Sequence, residues 1–169
     1  MTGRALLFDV GNTRVKWAIA DGDALVRFGA MRLDHLMDRG FDALAARLPR
    51  KVGDVMISNV AGEQVADDLA RFVRQHFDLD TRFCRSVRTA CGVTNGYRQP
   101  HRLGGDRGAA MIGARAESKA ALCIVDAGSA STIEGLAREG LHLGGHLLPG
   151  LRRRGRSLTR DTSGRRDLR

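Results

Sequence analysis

Leu6-Leu7-Phe8-Asp9-Val10-Gly11-Asn12-Thr13-Arg14-Val15-Lys16-Trp17 is the stretch that decides the predicted fold. An apolar run ends in a carboxylate, a tight turn follows, and a second run alternates apolar and polar residues. This pattern is typical of a strand, a hairpin turn and a second strand. The sequence therefore predicts that Asp9 lies where the first strand gives way to the turn.

The predicted turn has the side chains of a phosphate-binding loop. Gly11 lacks a Cβ and so lets the backbone come close to a ligand. Backbone N–H groups, the Thr13 hydroxyl and the Lys16 ammonium could together hold a phosphate. Asp9 would then reach a Mg²⁺ ion riding on that phosphate, because hard cations prefer oxygen ligands. An ordinary hairpin with a polar turn explains the stretch equally well when it is taken alone.

A second copy of the pattern occupies residues 122–133. It again gives an apolar strand, an Asp, a small residue, a Gly, a hydroxyl-rich turn and a second strand, and Asp126 stands 117 residues after Asp9. That separation is too long for a solenoid repeat and suits a duplicated subdomain. Two such hairpins, facing each other, would grip a nucleotide triphosphate from both sides. The arrangement resembles the acetate and sugar kinase/Hsc70/actin superfamily, whereas the Gly-x-x-x-x-Gly-Lys-Ser/Thr motif of P-loop proteins is missing from the sequence.

The remaining pattern predicts an α/β fold with a ribonuclease-H-like first half. Strands are expected at 5–10, 14–20, 24–31, 54–60 and 80–84, and helical segments at 33–48, interrupted at Gly40, and along the apolar face of 65–77. The predicted domains are a first lobe with a substrate loop at 1–115, the start of a second, incomplete lobe at 116–150, and a basic tail at 151–169 that we expect to be poorly ordered.

Three further segments carry predictions of their own. Residues 92–100 are rich in turn formers and favour a surface loop. Asp106 precedes a run of small residues and is placed to cap a helix. Residues 143–150 are predicted to form a Gly-rich turn whose glycines allow close approach to a ligand or to a neighbouring element.

Composition narrows the class of protein. Apolar residues make up 43% of the chain, which supports a folded core, and no apolar run is long enough to span a membrane. The start lacks the apolar region of a signal peptide. The three cysteines, Cys84, Cys91 and Cys123, form no C-x-x-C pair, so a reduced, cytoplasmic state is the simpler interpretation.

The net charge of +9 is unevenly distributed. Residues 151–169 hold eight Arg and two Asp, so the first 150 residues carry only +3. A mildly positive body suits an anionic substrate. The tail lacks the interleaved aromatic residues and the reading motifs of nucleic-acid-binding proteins, so a solvated end is favoured over a nucleic-acid contact.

Four blocks of sequence, taken in order, resemble the type III pantothenate kinase family, also called the Bvg accessory factor family. They are residues 9–16, residues 96–107 with Gly96-Tyr97 and Leu103-Gly104-Gly105-Asp106-Arg107, residues 126–129, and residues 144–150 with Gly-Gly-His-Leu-Leu-Pro-Gly. Each block alone is weak, but the ordered set is specific. The resemblance implies ATP-dependent phosphorylation of pantothenate to 4'-phosphopantothenate, the first step of coenzyme A biosynthesis, by a cytoplasmic homodimer.

The resemblance also implies roles for individual residues. Asp106 would be the catalytic proton acceptor, and Asp126 would hold a monovalent cation, K⁺ or NH₄⁺, while Mg²⁺ would come with ATP. The residues implied in ATP binding are Asp9, Val10, Gly11, Asn12, Thr13, Arg14, Val15, Lys16 and Ser129. The residues implied in pantothenate binding are Tyr97, Gly104, Gly105, Asp106, Arg107 and Thr162. Arg107 suits a carboxylate because its guanidinium can bind in a bidentate fork.

Two features of the sequence differ from the family pattern. Ser129 stands where Thr is commoner and keeps the hydroxyl, Glu134 stands where Asp is commoner, and Gly108 stands where a large aromatic residue is common. Family members also continue for several helices, so the chain is expected to be C-terminally truncated. The alternative to an active kinase is therefore a truncated, inactive or regulatory member of the same fold. A weaker alternative is another sugar or acid kinase of the superfamily.

Overall fold

A computed structural model of the 169-residue chain describes residues 3–150. The predicted tail and Thr162 lie outside the described residues. The chain packs as two units: one holds the residues up to Arg85 together with Gly104–Asp106, and the other holds Ser86–Leu103 and the residues from Arg107 onward. The two units are defined by the contacts between residues, whereas the predicted lobes are defined by the duplication in the sequence. The bounds of the lobes therefore stay a prediction.

The first unit is built on a five-stranded sheet. Its strand order is β3-β2-β1-β4-β5, with the first three strands antiparallel and with β4 and β5 parallel to β1. The strands are β1 (Ala5–Val10), β2 (Arg14–Asp21), β3 (Ala24–Arg32), β4 (Asp54–Asn59) and β5 (Arg82–Phe83). The predicted hairpin strands and the predicted parallel strand are confirmed.

Helices connect these strands. The segment after β3 divides at Gly40 into α1 (Leu33–Arg39) and a 3₁₀ segment (Phe41–Arg47), and α2 (Glu63–Phe77) links β4 to β5. Gly40 has a φ of 86°, a conformation that glycine adopts at little cost, so the predicted interruption is confirmed. The apolar face of α2 is also confirmed, because Val65, Leu69, Phe72 and Val73 are buried.

Alternation along the strands places one core in this unit. Leu6, Phe8 and Val10 of β1 are buried, and so are Val15, Trp17 and Ile19 of β2. Asp9 and Lys16 point to the other face, because successive side chains of a strand alternate between faces. The acidic and basic groups of the hairpin thus stand outside the core that holds it.

Leu69→Ala is expected to lower the free energy of unfolding of this unit by about 2–5 kcal/mol. Leu69 is fully buried on α2, and shortening it leaves a cavity among side chains that cannot all collapse into it. Urea denaturation measures the change. The matched control is Leu25→Ala on β3, where the side chain is 52% exposed and where we expect a change below about 0.5 kcal/mol. Equal losses in the two variants would contradict the assigned core.

The second unit contains a three-stranded antiparallel sheet, in the order β10-β9-β8. The order and directions match those of β3-β2-β1 in the first unit, as expected for a duplicated half. Its elements are β6 (Thr89–Ala90), β7 (Val93–Thr94), a 3₁₀ segment (Pro100–Arg102), α3 (Gly105–Glu117, whose first two residues count with the first unit), β8 (Leu122–Ala127), β9 (Ala130–Leu136) and β10 (His142–Pro149). Its small core consists of Val93, Leu103, Met111 and Leu136.

Three local predictions need correction. Residues 143–150 are not a turn, because all but Leu143 and Gly150 pair in register with β9 as part of β10. Residues 92–100 are more than a surface loop, since Val93 pairs in a short hairpin and Asn95 is only 4% exposed. Asp106 does not precede α3 but is its second residue, still within the first turn, where a carboxylate interacts favourably with the helix dipole.

In the described part of the chain, no helix is both long and apolar enough to cross a membrane.

Candidate active site

The first hairpin sets an acidic and a basic side chain opposite each other. Asp9 and Lys16 are paired in register across β1 and β2, and Lys16 Nζ donates to Asp9 Oδ2 at 2.9 Å. Both side chains are about half exposed, at 47% for Asp9 and 61% for Lys16. Exposed ion pairs contribute little to stability, about 0–1 kcal/mol, so the fold does not depend on this pair. Both charged side chains lie at the surface, where one ligand could contact the two of them.

Gly11 is not required by the hairpin itself. Its N–H donates to the Arg14 carbonyl at 3.0 Å, and a Cβ at this position would meet only that oxygen, at an ordinary 3.7 Å. Its φ is not in the left-handed region. Since neither conformation nor internal space calls for glycine here, the missing side chain keeps room on the outside of the turn.

The other residues predicted to bind ATP in this hairpin divide into two groups. Val10 and Val15 have buried side chains, so only their backbone groups could meet a ligand. Asn12, Thr13 and Arg14 are exposed in the turn and at the start of β2. The Thr13 carbonyl accepts a hydrogen bond from the Leu33 N–H at 2.9 Å, which ties the turn to the start of α1.

The second hairpin repeats this construction. Asp126 lies near the end of β8, exposed, and pairs in register with Thr132 rather than with a lysine. Gly128 N–H donates to the Ala130 carbonyl at 3.0 Å, as Gly11 does to Arg14 in the first hairpin. Ser129 lies exposed at the tip of this turn. Each predicted ligand-binding turn is therefore closed by a hydrogen bond from its glycine, over three residues in the first hairpin and two in the second. That the two turns face each other stays a prediction.

The glycines of β10 approach neighbouring elements of the protein. A Cβ on Gly145 would overlap the carboxylate of Glu134, which lies opposite on β9. A Cβ on Gly150 would lie 2.5 Å from the carbonyl oxygens of Gly128 and Ser129, and the Gly150 N–H donates to Ser129 at 3.2 Å. The predicted close approach is confirmed for a neighbouring element; whether a ligand also comes close stays a prediction.

The start of α3 brings together three of the residues predicted to bind pantothenate. Gly105 has a packing reason, because a Cβ there would lie 2.7 Å from the Cys84 carbonyl. Asp106 and Arg107 follow in the first turn and are half-buried. Backbone N–H groups at a helix N-terminus favour anions, which suits a carboxylate-bearing substrate.

Arg107 belongs to a closed cluster of four side chains in the second unit. Its Nε donates to Glu134 Oε1, its Nη1 donates to the Tyr97 hydroxyl at 3.2 Å, and its guanidinium lies 5.6 Å from the Tyr97 ring centre. His142 completes the cluster: its Nε2 bonds to Glu134 Oε2 at 2.9 Å and its ring stacks on Tyr97 at 5.7 Å. The hydrogen bond to Glu134 raises the pKa of Arg107 against the opposing effect of burial, so the side chain stays a cation at neutral pH.

The loop that carries Tyr97 is held by two residues that the sequence patterns did not single out. Arg88 donates to the backbone carbonyls of Asn95, Tyr97 and Arg98 at 2.8–2.9 Å. The buried Asn95 side chain accepts from the Tyr97 N–H and donates to the Pro100 carbonyl, both at 3.0 Å. Five hydrogen bonds to the side chains of Arg88 and Asn95 thus fix the loop that carries Tyr97, and neither residue belongs to a recognised motif.

Two cation sites were predicted, at Asp126 and, more weakly, at Asp9. Within residues 3–150, no group of three or more His, Cys, Asp or Glu side chains is arranged to hold a metal ion. Asp126 is an exposed carboxylate opposite Thr132 in the strand register, next to the carbonyls of its own turn, and such oxygen donors would fit a monovalent cation. Asp9 is engaged by Lys16, so a Mg²⁺ ion would reach it chiefly through phosphate oxygens.

The sheet order of the first unit and the acidic hairpin in each unit define the class of fold: a mixed α/β protein, as predicted from the resemblance to the acetate and sugar kinase/Hsc70/actin superfamily. Solved structures agree on the fold. A Baf family protein from Campylobacter jejuni, described as a candidate transcriptional activator, superposes with a TM-score of 0.58 at 20% identity, over 93% of this chain and 60% of that one. A candidate 2-dehydro-3-deoxygalactonokinase from Sinorhizobium meliloti gives 0.51 at 16% identity, over 85% and 52%.

The family model for type III pantothenate kinase matches residues 5–168, and the chain belongs to that family. A protein of this name from Burkholderia multivorans is 45% identical over 154 residues, which cover 86% of this chain and 55% of the relative. Another from Nitrosococcus oceani is 34% identical over 167 residues, 94% of this chain and 62% of the relative. The chain thus spans somewhat more than half the length of these curated relatives.

Proposed function

We propose that this chain phosphorylates pantothenate at the expense of ATP, giving 4'-phosphopantothenate for coenzyme A biosynthesis. The observation that carries the proposal is the pair of consecutive residues at the start of α3: a carboxylate, Asp106, and a guanidinium, Arg107, that is fixed by Glu134 and Tyr97. A kinase acting on a hydroxy acid needs one group to accept the hydroxyl proton and another to bind the acid. Family membership supports the same reaction.

In this reaction, separate residues accept the proton, bind the phosphates and orient the substrate. The substrate hydroxyl oxygen forms a bond to the γ-phosphorus, the bond to the ADP oxygen breaks, and the hydroxyl proton passes to Asp106. Residues 9–16 bind the phosphates, with Lys16 and the backbone of the turn as donors, and Ser129 contacts the nucleotide. Arg107 and Tyr97, with Gly104 and Gly105, orient pantothenate.

A bound monovalent cation would neutralise negative charge near the phosphates, with Asp126 and carbonyls of its turn as the residues that hold it. Mg²⁺ would arrive on ATP and be met by Asp9. The resemblance also supports a homodimer in the cytoplasm. The three free cysteines of the described region suit a reducing compartment.

The experiment is a turnover assay with ATP, pantothenate and K⁺, in which 4'-phosphopantothenate is identified by mass spectrometry. We expect product formation that requires K⁺ or NH₄⁺ and fails with Na⁺ alone. Asp126→Asn should lose this activation, whereas Glu139→Gln, an exposed carboxylate in the same unit, should keep it. Binding of both ligands without any product would instead favour the inactive or regulatory alternative, and turnover of another acid or sugar acceptor would reassign the substrate.

A further inference from the structure

The most unusual buried group in the second unit is the carboxylate of Glu134. Its side chain is 1% exposed, on β9, between the guanidinium of Arg107 and the ring of His142. Burying a charge is costly unless it is paired and hydrogen-bonded, and leaving one partner unpaired is costlier still. The carboxylate is therefore held by both oxygens, one on each neighbour.

Other residues of the second sheet are adapted to this carboxylate. Gly145, directly opposite in the register of β10, has no side chain where a Cβ would overlap Glu134. His142, at the start of the same strand, is fully buried and offers its Nε2 to the carboxylate, since an ionised carboxylate can only accept. The strand thus supplies the space and a donor for one acidic side chain.

Glu134 and His142 have no contact role in the proposed reaction, but each touches residues that do. Glu134 binds Arg107, and His142 stacks on Tyr97 with the two rings only 11° from parallel. Arg107 and Tyr97 also bind each other, so the four side chains form a ring of contacts. Removing Glu134 takes a hydrogen bond from Arg107, and removing His142 takes the stacking partner from Tyr97.

From this arrangement we infer that Glu134, supported by His142, is a positioning residue that orients Arg107 for the carboxylate of the substrate and so sets the preference for an acid over its neutral analogue. The inference rests on the proposed function. It makes Glu134 act through Arg107, because a negative charge of its own would repel an acidic substrate.

That repulsion allows two roles of Glu134 to be separated. If Glu134 merely balanced the charge of Arg107, its replacement by Gln would leave a stronger net positive charge and would tighten binding of pantothenate. If Glu134 positions Arg107, the same replacement weakens binding of pantothenate by about tenfold, the loss expected for one hydrogen bond to a charged group. It has little effect on pantothenyl alcohol, which has a hydroxymethyl group in place of the carboxylate.

The test is calorimetric titration of the full chain with pantothenate and with pantothenyl alcohol, which needs no turnover. We expect the unchanged protein to prefer pantothenate, Glu134→Gln to lose about tenfold of that preference, and Glu134→Asp to restore most of it. Glu139→Gln, which removes an exposed charge from the β9–β10 turn, should leave the preference unchanged. A preference that stays the same or rises in Glu134→Gln overturns the positioning role while the proposed function stands.

A second variant keeps the inference testable if Glu134→Gln does not fold. His142→Phe keeps a ring on Tyr97 but removes the bond to Glu134, and we expect a smaller loss of the same preference. An unchanged preference in a folded His142→Phe contradicts the supporting role. If the unchanged protein binds the acid and the alcohol equally, the inference falls, while the turnover assay with pantothenate still decides the proposed function.

Discussion

Replacing Asp106 by Asn is expected to lower the rate of phosphoryl transfer by about 10²- to 10⁴-fold, the range attributed to a general base. The amide keeps the size and most of the hydrogen-bonding capacity of the carboxylate but cannot accept the proton of the attacking hydroxyl. Nucleotide binding should be unchanged, because the ATP-binding role belongs to other residues. The rate is measured as 4'-phosphopantothenate formed, and ATP binding by calorimetry.

The same helix offers the matched control for Asp106. Glu117 is an exposed carboxylate in the last turn of α3, and Glu117→Gln should leave turnover unchanged. Asp106 also lies in the first turn, where losing its charge costs about 0.3–1 kcal/mol of stability. Thermal unfolding of Asp106→Asn and Glu117→Gln measures this loss of stability separately from the loss of turnover. A turnover within tenfold of the unchanged protein in Asp106→Asn would leave the residue with only a structural role at the start of the helix.

Lys16→Met is expected to weaken ATP binding by about 10- to 100-fold while changing the free energy of unfolding by less than about 1 kcal/mol. The affinity loss is that of a hydrogen bond between charged groups. The small stability effect follows from the exposure of the Lys16–Asp9 pair. Calorimetric titration with ATP and urea denaturation measure the two quantities on the same variant.

The hairpin carries its own control for Lys16. Arg4 and Asp21 form an ion pair of 2.8 Å at the opposite end of β1 and β2, with similar exposure of 56% and 46%. Arg4→Met therefore removes an equivalent cation from the same hairpin and should leave ATP affinity unchanged. If both variants lose the same affinity, the effect is one of general charge, and the assignment of phosphates to the turn at residues 9–16 is wrong.

Much of the first unit follows from local sequence patterns. Alternation in β1 and β2, the glycine break at Gly40 and the apolar face of α2 each depend on residues close together in the chain. The register that sets Asp9 opposite Lys16 follows from the short turn between the strands. Such features are predictable because a strand or a helix face is specified within about ten residues.

The four-residue cluster of the second unit could not be predicted in the same way. Tyr97, Arg107, Glu134 and His142 come from four segments, and only the folded sheet brings them together. Glu134 showed merely as a departure from the family pattern, and His142 had no motif at all. Arg107 was expected to face a substrate carboxylate, and the protein already supplies one carboxylate to its Nε.

The strand β10 was misassigned because of its glycines. Gly-Gly followed by Pro-Gly is typical of turns, yet pairing with β9 holds Gly144, Gly145 and Pro149 in a strand. The reason for glycine at 145 is the Glu134 carboxylate across the pair, a side chain whose position no local pattern predicts. Tertiary contacts therefore decided both the element and the residue type.

Gly145 and Gly150 also affect how enzymatic activity can be inferred from related sequences. Gly150 is needed by the turn after Asp126 whatever the protein does, and Gly145 is needed by any form of the sheet that keeps Glu134. A descendant that had lost every reacting side chain but retained this sheet would still require them. A survey that counted these glycines as a sign of kinase activity would be counting a packing requirement, and the residues proposed to bind and react, Lys16 and Asp106, would be the better diagnostic.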